Sequence, residues 1–222
     1  MRTFGWNEFL YLLAALRWTL LLSMVAFAGG MIGGFLIALA RTSPFVILRL
    51  PTILYIQLFQ GTPLLIQLFI AYYGFAVLFD LKIEQCTAVA LAFTAYSAAF
   101  LGEIWRGSIQ AVPRTQWESA ECLSLGYFAQ LRYVILPQAL RISIPPTVGF
   151  LVQLVKGTSV AAIIGFVELT RSGQLITNVT FQPMVVYPIV ALLYFAICWP
   201  LSELSKLLER RFDAARGVTQ GL

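Results

Sequence analysis

The chain of 222 residues contains no histidine. It therefore lacks any imidazole for a metal site or for a serine-histidine couple. Charge is scarce, at 11% of residues, whereas an ordinary soluble domain carries about a quarter. The three cysteines, Cys86, Cys122 and Cys198, stand far apart without metal-ligand spacing, which excludes a disulfide framework and a zinc finger. Also missing is a Gly-x-x-x-x-Gly-Lys-Ser/Thr phosphate loop. The nearest stretch, Lys156-Gly157-Thr158-Ser159, has no glycine before its lysine and sits in an apolar run, so it does not read as a phosphate loop.

Apolar sequence fills the space instead. Hydrophobic residues make up 59% and mean hydropathy is +0.83. Uncharged runs cover Trp18 to Ala40, Leu50 to Phe79, Gln85 to Gly102 and Ser172 to Ser202, and Ile142 to Val167 is broken only by Lys156. A spanning helix needs about 20 such residues. The pattern predicts an all-α integral membrane protein with about five spans, near 18–40, 53–79, 86–105, 142–166 and 184–205. One transmembrane domain over 1–222 is expected, with its longest polar connection at about 106–141.

Basic residues orient the spans, because loops on the cytoplasmic side carry the excess of Lys and Arg. With the N-terminus outside, Arg41, Arg49, Arg106, Arg114, Arg132, Arg141, Lys206, Arg210, Arg211 and Arg216 face inward, while Arg2, Arg17, Lys82 and Arg171 face outward. The net charge of +5 thus reads as a topology signal, not as a nucleic-acid signal. Arg17 divides the first apolar stretch, so residues 1–17 are expected at the outer interface or as an extension of the first span, not as a cleaved signal peptide. At the other end, Leu201, Leu204, Leu207 and Leu208 with Lys206, Arg210 and Arg211 predict a surface helix leaving the last span.

The polar connection contains ESAECLSLGYFAQLRYVILPQALR, residues 118–141. Ala120, Leu123, Tyr127, Leu131 and Val134 recur at helical steps, with Pro113 and Pro137 as expected limits. A helix lying along a membrane surface, one lying against another protein, and a solvated loop helix without a partner all suit that pattern. The segment resembles the cytoplasmic signature of ABC importer permeases of the polar amino acid branch: Glu-Ala-Ala, three residues, Gly, nine residues, Ile, one residue, Leu-Pro. Here it reads Glu118-Ser119-Ala120, Ser124, Val134, Leu136-Pro137. Similar stretches are QGTPLLIQLF at 60–69, AYSAAFLGEIWRGSIQAV at 95–112 and LVKGTSVAAIIGFVEL at 154–169.

The resemblance implies a type I importer: two permease subunits forming the path, homo- or heterodimeric, a separate ABC ATPase dimer below, and a periplasmic solute-binding protein above. ATP and Mg would lie on the ATPase, with no cofactor on this chain, and the residence would be a bacterial inner membrane. The same resemblance makes the segment a coupling helix in which Glu118, Ser119, Ala120, Ser124, Gly126, Leu136 and Pro137 dock on the ATPase. Glu118 is expected to anchor the contact. Ser124 stands where the family has a glycine at a bend, and Gly126 is expected to take the bend over.

Candidate substrate contacts are Lys156, Thr158, Ser159, Gln67 and Thr62. A lysine at mid-span costs roughly 2.5–3.5 kcal/mol on insertion scales and so faces a cavity or the bundle interior. Lys156 reads either as structural, bonded to carbonyls or to a carboxylate of the partner subunit, or as the partner of an amino acid α-carboxylate beside the Thr158 and Ser159 hydroxyls. Gly157 is expected to break the helix there; members of the branch often carry an acid at this position, which argues against a cationic substrate. Gln67 reads as an interhelical hydrogen bond or a ligand contact, with Thr62-Pro63 interrupting its helix. Glu103 and Arg106 read as an inner gate or ion pair. Ala28-Gly29-Gly30 and Gly33-Gly34 point to close helix packing.

Two other classes bear comparison. An ion-coupled secondary amino acid carrier would use Lys156 and broken helices, but inverted repeats are absent. An intramembrane enzyme would need a nucleophile and base at recognisable spacing, and none is present.

Overall fold

The computed structural model describes residues 3–80 and 82–214. Arg2 and Arg216, two of the residues used for orientation, lie outside them. Every regular element among the described residues is helical. α1 runs Trp6–Thr42, α2 Val46–Gly61, α3 Leu64–Phe69 and α4 Phe75–Phe79, the last two joined by a π-wound turn, Ile70–Gly74. α5 covers Gln85–Gln110, α6 Arg114–Cys122 and α7 Tyr127–Ala129. A second π-wound stretch, Gln130–Ile135, leads into α8, Leu136–Gly157, and a 3-10 segment, Thr158–Ile164. α9 is Leu169–Thr180 and α10 is Pro183–Ala214.

Four helical rods are long and apolar enough to cross a membrane, and the bent pair of α2 with α3–α4 makes a fifth. α1 starts twelve residues before the expected boundary of 18, so the N-terminal stretch extends the first span. Arg17 is accommodated by lying over the Trp18 ring at 5.6 Å. α10 continues without interruption through the leucine stripe, so the expected surface helix is the end of the last span.

α1 packs along α5, and the reason is the absence of side chains at the contact. A Cβ on Gly34 would lie 2.9 Å from the Gly102 nitrogen, and one on Gly102 would lie 2.6 Å from Ile37. Small residues let the two backbones approach, which is how helices associate where lipid removes the hydrophobic drive. Phe93, Leu68, Leu101 and Leu154 fill the core between α3, α5 and α8, and Leu12, Leu169 and Val186 join α1 to α9 and α10.

The second span is bent by 107°. Thr62 precedes a proline and is extended (φ −119°, ψ 145°), as the proline ring requires. The bend would orphan carbonyls at the end of α2, and membrane interiors offer no water to satisfy them. Gln67 does so instead: its Nε2 donates to the Phe59 carbonyl at 2.8 Å and to the Thr62 carbonyl and hydroxyl at 3.0 Å.

The expected single helix ending at Pro137 is two elements. α6 stops at Cys122, and a continuous rod begins at Tyr127 and passes Pro137 to reach Ile164. The rod survives the proline because the turn before it is wound with wider bonds, the Leu136 N–H reaching back to the Leu131 carbonyl. A missing donor is tolerated where the bonding pattern changes. The apolar stripe divides accordingly: Ala120 and Leu131 are buried, whereas Leu123 is exposed.

Candidate functional site

The polar connection is built around α6. Only Trp117 and Ala120 turn toward the bundle, and Arg114, Glu118, Ser119, Glu121 and Cys122 are exposed. Trp117 stacks on Tyr127 with ring centroids 6.3 Å apart, Gln138 donates to Gln116 at 3.2 Å, and Tyr127 donates its hydroxyl to the Thr42 carbonyl. α6 is thereby tied directly to the start of α8 and, through Tyr127 of α7, to the end of α1. Glu118 has Arg114 as its neighbour at 3.3 Å, one turn back, and both side chains are largely exposed.

Ser124 closes α6 in the left-handed conformation, φ 58°. Its N–H donates to the Glu121 carbonyl at 2.8 Å and the Leu125 N–H to the Ala120 carbonyl at 3.2 Å. This pair of bonds is a Schellman turn, whose left-handed position is normally glycine. The bend therefore stays at Ser124. Gly126 is extended (φ −67°, ψ 158°) and caps α7, so it has not taken the bend over. Gly126 and Pro137 are exposed and Leu136 is half-buried.

Glu103 and Arg106 form a bidentate ion pair, one arm at 2.8 Å, and Arg41 of α1 reaches the same carboxylate at 3.8 Å. Two cations on one acid tie α1 to α5 at their shared end.

Near the middle of the bundle, Lys156 is exposed and makes no ion pair among the described residues. The structure does not bring the three neighbouring candidates onto one face. Thr158 is fully buried, with its hydroxyl donated to the Val155 carbonyl at 2.7 Å, and Ser159 turns its hydroxyl back to the Lys156 carbonyl at 2.8 Å. Nor does Gly157 break the helix: at φ −61° it stays right-handed and the rod tightens into the 3-10 segment. The chain reverses eight residues on, at Gly165, φ 90°.

Beside Lys156, one turn back, sequence reasoning missed Gln153. It is exposed, and its Nε2 donates to the Tyr96 hydroxyl of α5 at 3.2 Å. The signal was available in its spacing from Lys156. Gln67 and Thr62 border a separate cavity of about 400 Å³ between the bent span and α5, walled otherwise by apolar side chains such as Ile66, Phe75 and Leu91. The Nε2 of Gln67 is spent on the bend, and its Oε1 is buried without a hydrogen-bond partner among the described residues.

Glu168 is the other missed residue. It is fully buried at the start of α9, accepts from the Thr170 N–H at 2.9 Å and the Arg171 N–H at 2.8 Å, and receives the Tyr194 hydroxyl at 2.8 Å. It thus caps α9 and locks it to α10. Burial pushes its carboxyl above the ordinary range, against the opposing pull of those hydrogen bonds. A glutamate is a poor cap by preference and Tyr194 lies 26 residues on, so little in the sequence marks it.

Four long apolar rods and one bent pair give the described residues the architecture of a multi-pass helical membrane protein. The family described as "Binding-protein-dependent transport system inner membrane component" matches residues 9–214, and the chain belongs to it. It is 38% identical over 206 residues to the probable amino-acid ABC transporter permease protein YckA of Bacillus subtilis, covering 93% of this chain and 91% of that one. The glutamine transport system permease protein GlnP of Escherichia coli is 33% identical over 207 residues, covering 93% and 94%. A solved amino acid ABC transporter with histidines superposes with a TM-score of 0.87 at 33% identity, covering 95% of this chain and 100% of that one. An inward-facing MetNI methionine transporter shares the fold, with a TM-score of 0.78 at 17% identity. The chain is accordingly a multi-pass inner-membrane permease of the amino-acid ABC transporter class with the type I fold, and the ion-coupled carrier is not favoured.

Proposed function

We propose that the chain forms one half of the translocation path of an ATP-driven importer for a polar amino acid. Its single transmembrane domain works with a second permease subunit, receives the amino acid from a periplasmic binding protein, and has its N-terminus outside and its C-terminus in the cytoplasm. ATP and Mg reside on a separate ATPase dimer. The observation that carries this reading is α6, a short helix with an exposed polar face and rigid ties to α1 and α8. Such an element passes a rigid-body motion into the spans. Glu118, Ser119 and the Ser124 turn form the docking side, with charge-assisted bonds from Glu118 as the anchor.

The substrate lies against the polar face of α8, its carboxylate at Lys156. Ser159 and Gln153 flank it, Gln67 and Thr62 shape the bent span opposite, and Thr158 supports the face from behind. The test is co-purification with the ATPase and binding protein, followed by ATP turnover with candidate amino acids. Glu118→Ala is expected to uncouple turnover from substrate while the subunits still fold. Unchanged substrate-stimulated turnover in that variant, or uptake without any ATPase, overturns the reading.

A further inference from the structure

A groove of about 390 Å³ lies on the outside of the bundle between α1, α5 and α8. Ile32, Phe35 and Leu36 of α1, Trp105 of α5, and Leu136 and Leu140 of α8 form its walls. All three helices contribute residues close to one end of the bundle. From Met31, the farthest lining residue on α1, to the helix end at Thr42 is 11 residues, or about 16 Å of helix. That is about half of a hydrocarbon core of ~30 Å. The groove is one leaflet deep.

On the rod just before the lining residue Leu136 the exposed side chains are basic and aromatic. Arg132 sits four residues before Leu136, one turn further along the same rod, exposed and lying over the Tyr133 ring at 5.8 Å. It makes no ion pair among the described residues. Tyr133 and Phe128 are also exposed there, at 70% and 75%. Aromatic rings with an unpaired arginine at the edge of an apolar span match the headgroup layer of a bilayer, where basic sites between helices recognise anionic lipid.

We propose that this groove is a binding site for one acyl chain of an anionic phospholipid, with Arg132 at the phosphate. A second permease subunit is the competing occupant, and two observations favour lipid. The groove spans one leaflet, whereas a subunit interface runs along the full height of the rods. On α8, moreover, Gln153 and Lys156 point roughly 140° around the helix from Leu136, Leu140 and Ser143 at 100° per residue. A pair of permeases enclosing the polar face leaves the groove on the membrane side.

The experiment uses the full chain with Trp6, Trp18, Trp117 and Trp199 changed to Phe, leaving Trp105 as the fluorophore in the groove wall. It is reconstituted in phosphatidylcholine vesicles containing acyl-brominated phosphatidylglycerol or, in parallel, acyl-brominated phosphatidylcholine. Quenching by the anionic lipid is expected at about a fivefold lower mole fraction, the preference one basic residue confers near the surface. Arg132→Gln is expected to abolish the preference, and Arg49→Gln, on α2, to leave it intact. Equal quenching by both lipids marks ordinary bilayer contact and overturns the proposal. So does equal loss in the Arg49 variant, or efficient disulfide cross-linking between copies through Leu36→Cys and Leu140→Cys.

Discussion

Gly30 of α1 lies so close to Ser97 of α5 that a Cβ built on the glycine would stand 2.3 Å from the serine Cβ and 3.1 Å from its backbone carbon. Neither contact can relax by turning a flexible side chain. Overpacking of this kind costs roughly 1–3 kcal/mol. Gly30→Ala is therefore expected to lower the unfolding midpoint of the detergent-purified protein. Gly61→Ala, where nothing lies within 4 Å of the new Cβ, should leave the midpoint unchanged or raise it.

At Ser124 the expected change has the opposite sign. A residue with a Cβ held in the left-handed region is strained by roughly 1–2 kcal/mol, and glycine escapes that strain. Ser124→Gly should stabilise the end of α6 and raise the midpoint without altering the fold. Ser124→Val should lower it, because a β-branched side chain fits that region worst. Hydrogen exchange at the Leu125 amide, which is bonded to Ala120, would localise the effect.

Gln67→Leu removes one donor that serves three acceptors. The Phe59 and Thr62 carbonyls are left at a bend inside the membrane, and an unsatisfied group costs about 1–3 kcal/mol. The loss should be non-additive with Thr62→Val, since the two side chains share a bond at 3.0 Å. Additive losses in a double-mutant cycle would show that the clamp does not act as a unit.

The sequence disclosed the spans and missed the joints, for physical reasons. Apolar runs are a bulk signal, so α5 and α10 were visible from composition alone. The bend at Thr62 was visible too, because Pro63 acts on its immediate neighbour. Pro137 misled by the same rule, since the π-wound turn that carries the rod past it depends on tertiary packing of Leu131 and Ile135. Among candidate site residues, Glu118 stands exposed on α6, whereas Lys156, expected to face a cavity or the bundle interior, is exposed on α8. Thr158 does not share their exposure, because residues two apart on a helix point to nearly opposite faces, and the face opposite Lys156 is the core.

Glu168 offers a pH prediction. Its carboxyl titrates above the unfolded value because of burial, so the stability it contributes is fully present below the unfolded pKa and is lost as pH rises through the folded one. The unfolding midpoint of the parent protein should therefore fall relative to Glu168→Gln as pH is raised from the acid range toward neutrality. The difference between the two proteins should be constant with pH if the carboxyl were solvated. Glu168→Ala should be destabilised at every pH by loss of the α9 cap, typically about 1 kcal/mol.

Lys156 distinguishes a structural cation from a substrate contact. A structural lysine would hold carbonyls or a carboxylate of the second permease subunit, and removing it would weaken the assembly of the two, not the fold of this chain. Lys156 has no carboxylate partner among the described residues, and its neighbour Gln153 is already bonded to Tyr96. Lys156→Met should thus fold normally. A hydrogen bond to a charged group contributes about 1.5–3 kcal/mol, so the half-saturating amino acid concentration for uptake should rise by about 10- to 100-fold. Lys156→Arg should recover part of the loss, because the charge is kept while the reach changes. Normal uptake by Lys156→Met in a normally assembled transporter would remove Lys156 from the path, and the polar face would then act through Gln153 and Ser159 without a cation.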